Sequence, residues 1–283
     1  MEKKLVSWSG DLRIQRMQYI YSLAVNYLND RTPENIRGAE LKRYYDVERV
    51  KTMNDVMRVL FGSLQNRKQL PNVIGYHRAE RKSKFDEIFM GYCVSKILTA
   101  YKDTDGLYER FCDCFDFRNK EKPNNLWRQY SQFVVSACKY MARFKDVDEF
   151  IRFVESYISD ERLIDRLPED LKRGIKGLGF ALACDFLKES GFNDYAKPDT
   201  HTIEIFTALE LAEDNEQAVV RAIREMAVET GETAFNVDRT FWLIASGDYF
   251  LHGKKIGRAG GKDEFIKITR EACERLYGAK RNT

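Results

Sequence analysis

Proline is scarce, with five residues in a chain of 283, and period-two alternation of apolar and polar residues is nearly absent. Few chain-breakers and no strand signature exclude sheet-based folds and leave an all-α class. The three histidines, His77, His201 and His252, stand too far apart in sequence for metal-ligand spacing, so no metal is expected. The six cysteines (Cys93, Cys112, Cys114, Cys138, Cys184 and Cys273) form no C-x-x-C pair. A chain of this length has no need of disulfide stapling, and a reducing, cytoplasmic setting is expected. No apolar run reaches the roughly eighteen residues of a membrane span. The opening MEKKLVSWSGDLRIQ has no apolar centre of the kind a signal peptide carries. A formal net charge of +3 is too small to identify a polyanion binder by itself.

Apolar residues make up 43% of the chain and aromatics 13%, enough for a sizeable core in one large domain or two small ones. Apolar stripes at three- and four-residue spacing predict helices over 11–28, 47–64, 85–101, 106–117, 126–140, 147–158, 216–230 and 263–277. Lys145 or Asp146 precedes the start of one of these, and Asn236 or Asp238 is expected to cap another. The segment 65–84 is polar and basic and reads as the most loop-like part of the chain, and 257–261 reads as a turn. Charge is uneven. From Gly253 to Thr283 nine Lys or Arg face four Asp or Glu, a local net charge of +5 that suits a polyanion or a solvated helix face.

The stretch from Leu171 to Phe206 reads LKRGIKGLGFALACDFLKESGFNDYAKPDTHTIEIF. A helical piece ends near Ile175, a tight turn follows at Lys176, Gly177, Leu178 and Gly179, and a second helix runs from Phe180 to a left-handed stop at Gly191. Pro198, Asp199, Thr200 and His201 then start a third helix. The two glycines permit close backbone approach, and amides at a helix N-terminus attract anions.

This stretch resembles the helix-hairpin-helix (HhH-GPD) DNA glycosylase superfamily. That family pairs a Gly-apolar-Gly hairpin with an aspartate in a context like V-D-T-H, here Gly177-Leu178-Gly179 and Pro198-Asp199-Thr200-His201. A second segment, NVDRTFWLIASGDYFLHG from Asn236 to Gly253, resembles the penultimate helix of the archaeal 8-oxoguanine glycosylase branch. The resemblance implies a two-lobed, all-α monomer bound to double-stranded DNA. One lobe is expected at 85–191, the other from 1–84 plus 192–283, with Asp199 at the cleft. It implies no cofactor for the chemistry and a monovalent cation at the hairpin. Some relatives hold a four-cysteine iron–sulfur cluster near the C-terminus. Only Cys273 lies there, so no cluster is expected. The lysine that forms a Schiff base in bifunctional relatives sits two residues past the second glycine. Here that residue is Ala181, which argues against lyase chemistry.

Asp199 is the catalytic candidate. A carboxylate near the sugar stabilises an oxocarbenium-like state and orients water. The competing reading is a plain N-cap, and the two are compatible. Lys176, Gly177, Leu178, Gly179, Lys197 and His201 are the expected DNA contacts, against the alternatives of an ordinary interhelical turn for the glycines and an amine nucleophile in a dry pocket for either lysine. His201 is expected to satisfy local hydrogen bonds. Trp127 and Trp242 are candidates for stacking on an extruded base, or else core residues. The expected activity is hydrolysis of an N-glycosidic bond by a monofunctional glycosylase. The alternatives are a non-catalytic hairpin that binds DNA and a helical scaffold that binds proteins.

Overall fold

The computed structural model describes residues 10–256 and 261–278. The chain divides into two compact units, one formed by the segment up to Val47 together with that from Phe192 onward, the other by Glu48–Gly191. In chain order the helices are α1 (Gly10–Arg31), α2 (Ala39–Lys42), α3 (Met53–Gln65), α4 (Leu70–Ile74), α5 (Ala79–Ile88) and α6 (Val94–Ala100). There follow α7 (Thr104–Cys114), α8 (Leu126–Met141), α9 (Val147–Ile158), α10 (Arg166–Gly174) and α11 (Phe180–Glu189). The last are α12 (Thr200–Ala208), α13 (Glu216–Thr230), α14 (Ala234–Ser246) and α15 (Gly261–Tyr277). Sheet structure among the described residues is one antiparallel pair, β1 (Asp248–Tyr249) and β2 (Lys254–Lys255), in register Asp248 to Lys255. The fold is all-α, as the missing period-two pattern predicts. No helix of the described residues is long and apolar enough to cross a membrane.

In the first unit the stripe of α1 (Met17, Ile20, Ala24, Leu28) is buried against α13, α14 and α15. Phe241 of α14 stands at its centre, 5.0 Å from Phe206 and 6.0 Å from Phe265 between ring centroids. The second unit is built round an aromatic cluster. Phe61, Phe85, Phe89, Phe111 and Trp127 are all essentially inaccessible to solvent, with centroid separations such as 4.7 Å for Phe61–Phe89 and 5.1 Å for Phe111–Trp127.

Polar side chains define several of the helix starts. Thr52 and Asp55 form a reciprocal capping box, so α3 begins at Met53 rather than at Val47. Asp146 caps α9 through the Glu149 amide, as expected, while α14 is capped by Thr233 and neither Asn236 nor Asp238 does so. The helix expected over 85–101 is two helices. Met90, Gly91 and Tyr92 all take positive φ between α5 and α6, a break that apolar spacing cannot reveal because both sides of it are buried. The loop-like segment 65–84 contains α4 and the start of α5.

The expected boundary at 84/85 is not where the chain divides. Residues 48–84 belong with the hairpin unit, because α3 turns Val56, Met57, Leu60, Phe61 and Leu64 into that unit's core and Tyr130 donates its hydroxyl to Phe61 O at 3.0 Å.

Candidate nucleic-acid site

The hairpin is formed by α10, the residues Ile175–Gly179 and α11. Ile175 and Leu178 are the anchors, both buried, and the Leu178 amide donates to Ile175 O at 3.2 Å. Leu178 thus holds the turn shut and has no side chain to offer a ligand. The Lys176 amide donates to Ser136 Oγ of α8 at 2.8 Å, which ties the turn to a neighbouring helix, and its ammonium side is exposed. Gly177 has φ +87°, and a Cβ there would lie 2.4 Å from the Phe133 ring. No other residue fits that position without moving an aromatic of the core. Gly179 differs. Its φ is −79°, it is exposed, and a Cβ would meet nothing within 4 Å.

Those constraints decide which amides remain. Lys176 and Leu178 have spent theirs, whereas the N–H groups of Gly177 and Gly179 take no hydrogen bond among the described residues. Gly179 is also the N-cap of α11 and has no side chain to satisfy the first-turn amides. The result is an uncapped helix N-terminus, open on its Gly179 side, with an exposed lysine beside it. Such an end attracts a phosphate. Sequence reasoning did not find Arg67, whose guanidinium carbon lies 5.2 Å from the centroid of the same Phe133 ring that supports Gly177. Nothing in the sequence links Arg67 to the hairpin, because the link runs through Phe133.

Asp199 belongs to the other unit and is the N-cap of α12. Its Oδ1 accepts from the Thr202 amide at 3.0 Å and from the Thr202 hydroxyl at 3.2 Å. Its Oδ2 accepts nothing among the described residues, and the side chain is half-buried. One carboxylate oxygen fixes the group and the other is unengaged. The approach to this cap is itself braced. The Lys197 amide donates to Asp238 Oδ2 at 3.1 Å, and Asp238, at 1% exposure, is buried on α14. Asp238 therefore orients the segment leading into Asp199. Its one sequence signal is a carboxylate on an otherwise apolar helix face. His201 is half-buried, and its Nδ1 is buried with no hydrogen-bond partner, so the expected local hydrogen bonding fails at that atom.

The tryptophans separate. Trp127 is 1% exposed and packs against Phe115 at 4.7 Å and Phe117 at 5.1 Å, so it is a core residue and not a surface for an extruded base. Its helical start, capped by Asn125, put it in a polar sequence setting that hid this burial. Trp242 is half-buried, edge-on to Phe250 at 6.0 Å, with the Arg239 guanidinium 5.6 Å from its ring.

No protein-family model matches the chain. A curated 8-oxoguanine DNA glycosylase/AP lyase of Korarchaeum cryptofilum (strain OPF8) is 27% identical over 128 residues, which cover 42% of this chain and 56% of that protein. The chain thus spans about half the length of the curated relative it matches. Among solved structures, Methanocaldococcus jannaschii 8-oxoguanine DNA glycosylase aligns with a TM-score of 0.46 at 16% identity, over 83% of this chain and 94% of that one. The same organism's 8-oxoguanine glycosylase/lyase in complex with DNA containing 8-oxoguanine gives 0.45 at 17%, over 83% and 97%. By its sequence the chain is similar to the helix-hairpin-helix glycosylase superfamily, and within it to the archaeal 8-oxoguanine branch.

Proposed function

We propose that this protein is a DNA glycosylase, which extrudes a modified base from duplex DNA and hydrolyses its N-glycosidic bond. The observation that carries the reading is Asp199, a carboxylate locked at a helix cap by one oxygen and unengaged at the other. As the base departs, positive charge builds on the sugar, and a fixed carboxylate stabilises that charge without reorganising. The same Oδ2 can accept a proton from the attacking water. The hairpin supplies what the chemistry requires first, a grip on the backbone through the amides of Gly177, Gly179 and the first turn of α11, with Lys176 as a point charge. Extrusion costs a few kcal/mol, least for a damaged or mismatched base.

Hydrolysis needs water and no cofactor. A monovalent cation of the kind related hairpins use would find backbone oxygens at Lys176, Gly177 and Leu178, which accept no hydrogen bond among the described residues. Such oxygens suit a hard cation, and they and the amides together form the phosphate grip.

The proposal extends to a monofunctional enzyme. The curated relative's name includes AP lyase, yet Ala181 places a methyl group where the superfamily's Schiff-base lysine would stand. Duplexes carrying 8-oxoguanine, an alkylated purine or no lesion are the test. The expected result is release of one modified base, with the strand left intact until alkali is added. Salt-dependent duplex binding without release of any base would instead identify a non-catalytic hairpin. Absence of duplex binding would remove the nucleic-acid reading altogether.

A further inference from the structure

Beside the hairpin, within the same unit, lies an open cleft of about 550 Å³. Thr104 at the start of α7, Gln132, Ser136, Lys139 and Tyr140 along α8, and Lys176 of the hairpin line it. Its polar groups are uncommitted. The side chains of Thr104, Gln132, Lys139 and Lys176 and the Tyr140 hydroxyl make no hydrogen bond or ion pair among the described residues. Ser136 accepts the Lys176 amide through its oxygen and keeps its own proton to donate. Asp103 and Asp105 flank Thr104 in sequence and both are engaged: Asp103 caps α7 through the Gly106 amide at 3.0 Å, and Asp105 pairs with Arg128, while Asp170, whose charge acts on the Tyr140 hydroxyl, accepts from the Tyr157 hydroxyl at 2.9 Å. No carboxylate lines the cleft. Gly174 completes the wall, because a Cβ there would lie 2.2 Å from the Tyr140 ring, so the edge of that ring packs against the end of α10.

Two ammonium groups, hydroxyls and an amide, with no acid among them, form a donor set for an anion with several acceptor oxygens. A base pocket would present mainly apolar walls. Lys176 belongs to both the hairpin and the cleft, and a DNA strand advances about 3.4 Å along its axis per nucleotide. We propose that this cleft is a second phosphate subsite, which takes a neighbouring backbone phosphate of the strand whose first phosphate the hairpin grips. The inference rests on the reading of the protein as a duplex-DNA enzyme and extends it. Contact with DNA continues from the hairpin onto the exposed side of α8, where Lys139 is the principal cation. Phosphate contacts position the strand and carry no sequence information, so the subsite serves intact and lesion-bearing duplexes alike.

Lys139→Ala and Gln132→Ala, each measured for duplex affinity across a salt series, test the subsite. Lys139 is exposed and unpaired, so its variant should melt with the wild type. Loss of one phosphate contact lowers the slope of log affinity against log salt by about 0.9. Between about 50 and 200 mM salt, the Lys139→Ala protein should therefore lose about 3.5-fold less affinity than the wild type. Lys139→Arg should restore the wild-type slope. An unchanged slope in Lys139→Ala, alongside weakened binding by Gly179→Ala, would overturn the subsite and leave the hairpin reading standing. If the wild type shows no salt-dependent duplex affinity, the glycosylase reading falls and the subsite with it. Inorganic phosphate, titrated by ³¹P line broadening, separates the remaining source. Binding of phosphate that Lys139→Ala abolishes, with no change in the duplex slope, would identify a site for a small free anion and refute the DNA assignment.

Discussion

Replacing Asp199 by Asn and by Ala separates its two roles. Asn keeps an oxygen at the position of Oδ1, where the Thr202 amide and hydroxyl donate at 3.0 and 3.2 Å. Asn and Asp are near-equal N-caps, so Asp199→Asn forfeits only the charge at the N-terminus of α12, worth about 0.3–1 kcal/mol. Asp199→Ala also loses the cap itself, about 1 kcal/mol more. In a chain of this size each kcal/mol moves Tm by about 2–4 °C. Neither change unfolds a protein of ordinary stability, about 5–15 kcal/mol. The expected effect on catalysis is far larger. Removing one preorganised electrostatic group costs about 10²–10³ in rate, or about 2.7–4 kcal/mol. Asp199→Asn should therefore melt within about 3 °C of the wild type, bind duplex within a few-fold, and release base at least a hundredfold more slowly. Single-turnover release from a lesion-bearing duplex, read beside a thermal melt, measures both. Release by Asp199→Asn within tenfold of the wild type would show that the carboxylate serves only as a cap.

The glycines of the hairpin should respond differently. Gly179→Ala should fold normally and weaken all duplexes alike, because its Cβ enters open space where a phosphate would approach. Gly177→Ala should lower stability by about 1–3 kcal/mol, through a left-handed φ of +87° and a Cβ 2.4 Å from Phe133. Calorimetry and a binding titration on the two variants separate these outcomes, and equal stability loss in both would contradict the geometry. Trp127→Ala should destabilise the hairpin unit by about 3–5 kcal/mol. Unchanged melting with altered lesion preference would restore Trp127 as a base-stacking residue. Borohydride trapping on a lesion-bearing duplex should give no covalent adduct, since Ala181 supplies no amine. An adduct lost in Lys176→Ala or Lys197→Ala would identify a substitute nucleophile and refute the monofunctional reading.

The sequence alone determined those features that local rules govern. Helical class followed from apolar spacing. The left-handed stop at Gly191 followed from a glycine after an amphipathic run, and its φ is +85°. Asp199 at the cap of α12 followed from Pro-Asp before a helical stretch. Tertiary structure decided whatever depends on partners far away in the chain. That Gly177 must be glycine, whereas Gly179 is merely open, depends on Phe133, more than forty residues earlier. The bond from the Lys176 amide to Ser136 and the brace of Asp238 on Lys197 bridge 40 and 41 residues. Trp127 has polar neighbours in sequence and aromatic ones in space. The boundary at 47/48 lies where no proline or glycine marks it, because it is set by which core receives the apolar face of α3. Hydrogen bonding along the backbone acts within a few residues and leaves its trace in sequence order. Burial is assigned by the whole packed chain, so the residues that hold Asp199 and the hairpin in place became visible only after folding.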